Sequence, residues 1–327
     1  YQENIYYDST KVYGGANCTD PAACEAQCNA DADCEGWSSA CSDTSKTTED
    51  TCGSCTVDSQ TSSTACVGHC ELGVPSLTAP DTSDTNVWTE YKCNNPATSG
   101  KFTISSDCTL SDQVSLAGEL TLVGSNKDMD NLVTITAANE KRHFYLNSES
   151  HKLHLWHVKL TGGYTSQSTS DGGAAIRLSL GGLLNLYYSE VSGNTGGRGG
   201  AIWLVGQSAT NRNAVMNSYG SLFKNNEASH GGGAIELIKT VATFVDSTID
   251  SNNGDSIQHG GGLKIDESAV TMTNCIVSNN VAGRGGGIFF FGSSSLILRQ
   301  STFSGNDAEE KGDDIYVYMS DVTLSII

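Results

Sequence analysis

One short pattern returns along the second half of the chain at nearly fixed intervals, and it limits what the chain can fold into. An apolar residue, two small or polar residues and an Asn recur as Val191 to Asn194, Phe223 to Asn226, Ile249 to Asn252, Ile276 to Asn279 and Phe303 to Asn306, so the Asn residues fall 32, 26, 27 and 27 apart. A glycine pair followed by small and aliphatic residues runs between them: Gly199-Gly200-Ala201-Ile202, Gly232-Gly233-Ala234-Ile235, Gly260-Gly261-Gly262-Leu263, Gly285-Gly286-Gly287-Ile288 and a decayed Gly312-Asp313-Asp314-Ile315. Two landmarks in constant phase define a repeat protein.

The unit carries short alternating strands and no amphipathic helical window, so it buries an apolar face only by stacking on its neighbours. Stacked coils place equivalent residues in columns about 4.8 Å apart. The alternation points Ile202, Ile235, Leu263, Ile288 and Ile315 inward, then Leu204, Leu237, Ile265, Phe290 and Val317, with Val191, Phe223, Ile249, Ile276 and Phe303 on another sheet. Asn194, Asn226, Asn252, Asn279 and Asn306 then form a corner ladder, because a short amide tolerates left-handed backbone and bonds both the corner and its neighbours. The glycine pairs mark a corner with no room for a Cβ. Upstream, strands are predicted at Phe102 to Ile104, Gln113 to Leu116, Glu119 to Val123, Leu132 to Thr136, His143 to Leu146 and Leu153 to Leu160, and Gly163 stands where later repeats place Asn.

The paired GGAI-like and FxxN-like motifs, from about Leu153 onward, resemble those of the chlamydial polymorphic outer membrane proteins. The resemblance implies a right-handed parallel β-helix, a three-sheet solenoid, and a surface or adhesive role, with an extracellular filament as another setting. The expected organisation is an extended N-terminal segment (1–15), a small disulfide-rich module with a linker (16–98) and the β-helix (99–327).

Eleven of the twelve cysteines precede residue 109. Clustering of this kind, in a chain that starts at Tyr1, predicts a secreted, processed, disulfide-bonded protein. Cys18, Cys24, Cys28, Cys34 and Cys41, around Gly36-Trp37, are spaced as in the first half of a PAN or apple module, which they resemble. Cys52, Cys55, Cys66, Cys70, Cys93 and Cys108 complete the disulfide candidates. The Cys52-Gly53-Ser54-Cys55 pattern reads as a structural disulfide rather than a zinc or redox site, since no strand-helix context surrounds it. Cys275 stands alone in the repeat; alternation points it outward beside Ile276, toward Cys108, the N-terminal module or another subunit. Asn17-Cys18-Thr19 is an N-glycosylation sequon. A formal charge of -19 argues against nucleic acid and anionic lipid, which demand clustered Lys and Arg. No run reaches the roughly 18 apolar residues that a membrane helix requires.

Parallel β-helices also carry polysaccharide lyases and hydrolases, which assemble acids with a base, or calcium-binding acids with an Arg, on one exposed sheet. The acids Glu309, Glu310, Asp313 and Asp314 fall at a corner of the last coils, and Asp250, Asp255 and Asp266 are scattered, so no catalysis, cofactor or metal is expected. Arg198, His230, His259, Arg284 and Lys311 precede the glycine pairs and line up as a basic ridge, read as a solvated face paired with loop acids or as an anion-binding strip. Outward positions read Trp203, Glu236, Lys264, Phe289 and Tyr316, with Glu236 and Lys264 opposed across coils. Trp203, Phe289, Phe291, Tyr316 and Tyr318 are expected to form an exposed interface, joined by Ile326 and Ile327 at an uncapped last coil that seeks a partner. The expectation is a non-catalytic structural or adhesive protein that associates with itself, with other surface proteins or with glycans.

Overall fold

The computed structural model describes residues 79–85, 87–207, 213–254, 259–318 and 323–326. Asn17, the cysteines from Cys18 to Cys70, the PAN-like spacing, the CxxC pattern, Asp255 and Ile327 lie outside the described residues. Ala79–Ile327 is one compact unit. Trp88, Tyr91 and Cys93 are buried in it, so the coil begins ahead of residue 99.

Every strand pairing in this unit is parallel, and each strand bonds the equivalent strand of the next coil. Three long sheets result, here called A, B and C, with ten, eight and eight strands, and a five-stranded sheet D closes one corner. One coil runs Ala214–Tyr219 in A, Leu222–Lys224 in B, Glu227–Ala228 in D and Ile235–Ile238 in C, then returns to A at Thr240–Val245. The predicted aliphatic columns of sheet C are in register from Ile202 to Ile315 and from Leu204 to Val317. They are fully buried except in the last coil, where Ile315 is partly and Val317 38% exposed. Burying such side chains contributes about 1.5–3 kcal/mol each, and the columns repeat that gain coil after coil.

The corners use left-handed backbone. Between A and B the residue is His157, Tyr188, Gly220, Asp246, Asn274 or Gln300, and the predicted Leu153 to Leu160 strand is broken there, into Lys152–Trp156 and Val158–Thr161. After sheet B the left-handed residue is Gly193, Asn225, Ser251, Asn279 or Gly305, and a buried Asn follows it. The ladder is therefore Asn194, Asn226, Asn252, Asn280 and Asn306, at separations of 32, 26, 28 and 26. Asn279 is not a member: it is the exposed left-handed residue, and its Nδ2 donates to Asp250 instead. The inward residue of that coil is Val277, with Ile276 46% exposed. Both Ile276 to Asn279 and Val277 to Asn280 satisfy the motif, and only the second keeps the corner in phase.

Each ladder Asn donates from Nδ2 to the next Oδ1 at 2.9–3.0 Å and to a carbonyl of the preceding coil, while its Oδ1 also accepts the backbone N–H of the Asn before it. The Gly163 N–H opens the ladder on Asn194 Oδ1, and Asp314 closes it by accepting from Asn306. A Cβ at Gly163 would lie 2.8 Å from Asn194 Oδ1 and 2.1 Å from the Ala174 carbonyl oxygen, so this coil has no room for a side chain where the others carry Asn.

The same one-residue slip turns Cys275 around. It is 1% exposed and faces the core, in the place held by Ser189, Ser221, Ser247 and Ser301 in other coils. Its N–H donates to Ser301 Oγ and its thiol to the Thr273 carbonyl. Cys108 pairs with Cys93, not with Cys275. Burial pushes the Cys275 thiol up to about 11, so almost no thiolate exists at neutral pH. Iodoacetamide is expected to leave Cys275 unmodified for hours at pH 8 and to label it at once in denaturant, as read by peptide mass mapping; labelling of the folded protein would place the thiol outside the coil.

The last strand of sheet A, Thr323–Ile326, pairs Leu324 with Leu296 and Ile326 with Leu298. Leu324 and Ile326 are 40% and 46% exposed, whereas Leu296 and Leu298 are buried.

Candidate functional site

The outer face of sheet C concentrates the side chains with chemistry. One column reads Tyr145, Arg177, Trp203, Glu236, Lys264, Phe289 and Tyr316, in continuous register, as predicted from Trp203 onward. Its exposure departs from expectation, with Trp203 8%, Glu236 0% and Phe289 1% exposed. Side chains of the turns that precede the strands of sheet C reach over the column, Arg198 over Trp203 and to Glu236, and His259 onto Phe289.

The cover is the basic ridge. His259 pairs with Arg284 and Arg284 with Lys311 across coils, so these members align as predicted. His230 does not, because one extra residue places Gly231 four positions before Ile235, where Arg198 stands before Ile202. Arg198 reaches down to Glu236 at 3.0 Å, and Lys264 meets the same carboxylate oxygen at 3.0 Å. Glu236 thus bridges three coils, while its Oε2 is buried without a hydrogen-bond partner beneath Gly231. A Cβ at Gly231 would lie 2.2 Å from that oxygen, and its φ of +92° suits glycine alone. Gly231→Ala is expected to cost about 2 kcal/mol or more through clash and left-handed strain combined, as a lower thermal midpoint. An unchanged midpoint would mean that the turn over Glu236 is loose.

A second clamp lies upstream. Asp171 accepts from Arg142 and Arg177, and the Arg177 guanidinium sits between two rings, 5.8 Å from Tyr145 and 4.4 Å from Trp203. Burial pushes the Asp171 carboxyl up, but the hydrogen bond and charge of Arg142 and further hydrogen bonds outweigh it and hold the carboxyl below its usual range. On sheet B, Glu190 is held between Lys159 at 3.0 Å and Lys224 at 3.5 Å, cations of the coils before and after. Burial acts upward on this carboxyl too, and the Ser192 bond with the two lysines overcomes it. The repeat thus sets one anion between two cations on two of its faces.

Toward the C-terminal coils the face turns aromatic. His259 stacks on Phe289 at 4.1 Å, and Phe291 on Tyr318 at 5.8 Å. Of the predicted interface, Phe291 and Tyr316 are partly exposed, Tyr318 is 41% and Ile326 46% exposed, while Trp203 and Phe289 are covered. Arg284 pairs with Glu310, the Asp313 carboxylate accepts the Ala308 N–H, and Glu309 lines a shallow polar groove over sheet D with Glu227 and Asn253. Asp266 stands apart, with Oδ1 unpartnered and a carboxyl raised by burial, against the pull of Lys264. Among the described residues no three or more His, Cys, Asp or Glu converge to hold a metal ion. Among them no helix is long and apolar enough to cross a membrane.

The family model for the right-handed beta helix region matches residues 214–325. No curated protein and no solved structure matches the chain. The match concerns the β-helix at large and does not single out the chlamydial outer membrane proteins. The repeat part of the chain is a right-handed parallel β-helix, a fold that serves both surface proteins and pectate lyase-like enzymes.

Proposed function

We propose that the protein is a secreted, non-catalytic structural or adhesive subunit of an extracellular surface assembly. The observation that carries this reading is the use to which its charged side chains are put. Glu236, Asp171 and Glu190 are each held between two cations, most of them on neighbouring coils, so these carboxylates tie the solenoid along its axis instead of facing a substrate. The Asn ladder adds a hydrogen-bonded spine at the sheet B corner.

Electron microscopy of the native particle tests the reading. Filaments or a regular surface layer are the expected result. Release of reducing ends from acidic or neutral polysaccharides would replace it by the enzyme reading. Solitary monomers at high protein concentration, with no surface partner captured, would leave no assembly to explain.

A further inference from the structure

A different face of the coil carries an aromatic and polar stripe that the clamps do not use, with Tyr187, Tyr219 and Asn217 partly exposed and Trp156 and Asn185 each 7% exposed. On the outside of sheet A, Trp156, Tyr187 and Tyr219 occupy one column on three successive coils. Trp156 stacks on Tyr187 at 3.8 Å and Tyr187 on Tyr219 at 5.5 Å, with ring planes within 17° and 5° of parallel. Two residues earlier on each strand runs a polar column. Asn217 Nδ2 donates to Asn185 Oδ1 at 2.9 Å, and Asn185 Nδ2 lies 2.9 Å from His154 Nδ1. At the adjoining corner Tyr188 stacks on His157 and lies over Gly220, where a Cβ would come within 2.5 Å of its ring. His157 is 7% exposed and its Nδ1 has no hydrogen-bond partner.

Three properties of this stripe select a ligand. It carries no net charge: burial lowers the affinity of His154 and His157 for protons, and Glu119, 3.7 Å from His154 Nε2 at the edge of the stripe, is paired with Lys152 at 3.3 Å. In a chain of formal charge -19, an uncharged stripe of phenols and amides holds neither a polyanion nor a polycation. It is periodic: rows of like groups recur at the coil spacing of about 4.8 Å, close to the length of one pyranose unit in an extended glycan. It is small: three coils span roughly 14 Å and two columns about 7 Å. Stable protein interfaces bury about 800 Å² on each partner, several times this area, whereas three sugar units cover it. Stacked rings and bonded amides are also fixed before anything binds, which lowers the entropic cost of association.

We propose that the stripe binds an extended neutral glycan laid parallel to the solenoid axis. The Asn217 amide and the Tyr187 and Tyr219 phenols would bond sugar hydroxyls. The site is separate from the clamped face of sheet C and does not depend on how the subunits assemble.

Isothermal titration with cellohexaose, chitohexaose and mannohexaose as neutral probes, and with hexagalacturonate as the acidic one, tests the proposal. At least one neutral hexasaccharide is expected to bind and hexagalacturonate is not. Asn217→Ala combined with Tyr219→Ala should weaken binding about tenfold or more, and Tyr219→Phe about threefold, at the rate of one hydrogen bond. Tyr318→Ala, on sheet C, should leave affinity unchanged. Circular dichroism and the thermal midpoint verify that each variant folds, and Tyr219→Phe keeps the ring stack if the double variant does not fold. Absence of binding by every neutral probe, or equal loss with Tyr318→Ala, would overturn the site. A stripe variant that changes only self-association would make the surface a protein contact and overturn it too. Microscopy of the same variants separates the two ideas, since assembly can persist when glycan binding is lost.

Discussion

Asn280→Ala is expected to destabilise the protein by about 3 kcal/mol, and Asn279→Ala, its immediate neighbour, by about 1 kcal/mol or less. Asn280 is fully buried. Its Nδ2 donates to the Ile249 carbonyl and to Asn306 Oδ1, and its Oδ1 accepts the N–H and the side-chain amide of Asn252. Truncation leaves the buried backbone N–H of Asn252 without its acceptor, an orphan that costs about 1–3 kcal/mol, and removes three further bonds to buried groups. Asn279 is exposed, and what it loses is one bond to Asp250 and the tolerance of an amide for left-handed backbone. For a domain of this size 3 kcal/mol is roughly 6–12 °C in Tm. Differential scanning calorimetry of the two variants decides the register of the ladder, and equal shifts would dissolve it.

That pair of residues also shows why the fold was legible in the sequence and one register was not. The inward columns of sheet C read out directly, because alternation has a period of two and the glycine pair fixes its phase, so Ile202 through Ile315 fell in line. In Cys275-Ile276-Val277-Ser278-Asn279-Asn280 both the apolar residue and the Asn are doubled, and the motif fits in two frames. A second signal separates them. A Ser lies two positions before the inward residue in Ser189-Val191, Ser221-Phe223, Ser247-Ile249 and Ser301-Phe303, and Cys275 holds that place only if Val277 is the inward residue. Ser is too frequent here for this ladder to stand out, yet it fixes both the coil and the buried thiol.

The outer face of sheet C was legible in its order and not in its exposure. Register gives the neighbour along a column, as with Glu236 and Lys264, but not what lies above it. Arg198 covers Trp203 and Glu236 from a turn whose path depends on its length, and one added residue before Ile235 substitutes Gly231 for a basic side chain. The stacking of Trp156, Tyr187 and Tyr219 was missed for a plainer reason: in the sequence they are aromatics 31 and 32 residues apart, and Trp156 and Tyr187 precede the stretch where both landmarks recur.

The stability of the coil is expected to fall by about 3 kcal/mol as the pH drops from 6.5 to 4, through His143 alone. Its side chain is fully buried, with Nε2 3.0 Å from the Ile135 carbonyl. Burial drives its pKa down to about 4, against the nearby carbonyls of Ile135, Ala174 and Thr161, which favour the charged ring. The unfolded chain takes up its proton near 6.5 and the folded protein only near 4, so between these values the unfolded state binds more protons. Above 6.5 both states are neutral and the residue adds no pH dependence; below 4 the loss is complete. His154, His157 and His259 are lowered by burial as well and act in the same window, so the measurement is a difference. His143→Gln retains a donor to Ile135 and cannot titrate. Urea midpoints for wild type and variant at pH 7.5 and 4 should diverge in slope, the wild type losing about 3 kcal/mol more than the variant. Parallel losses would show that the imidazole takes up its proton inside the folded coil as readily as in water, and that the corner above Ile135 is open to solvent.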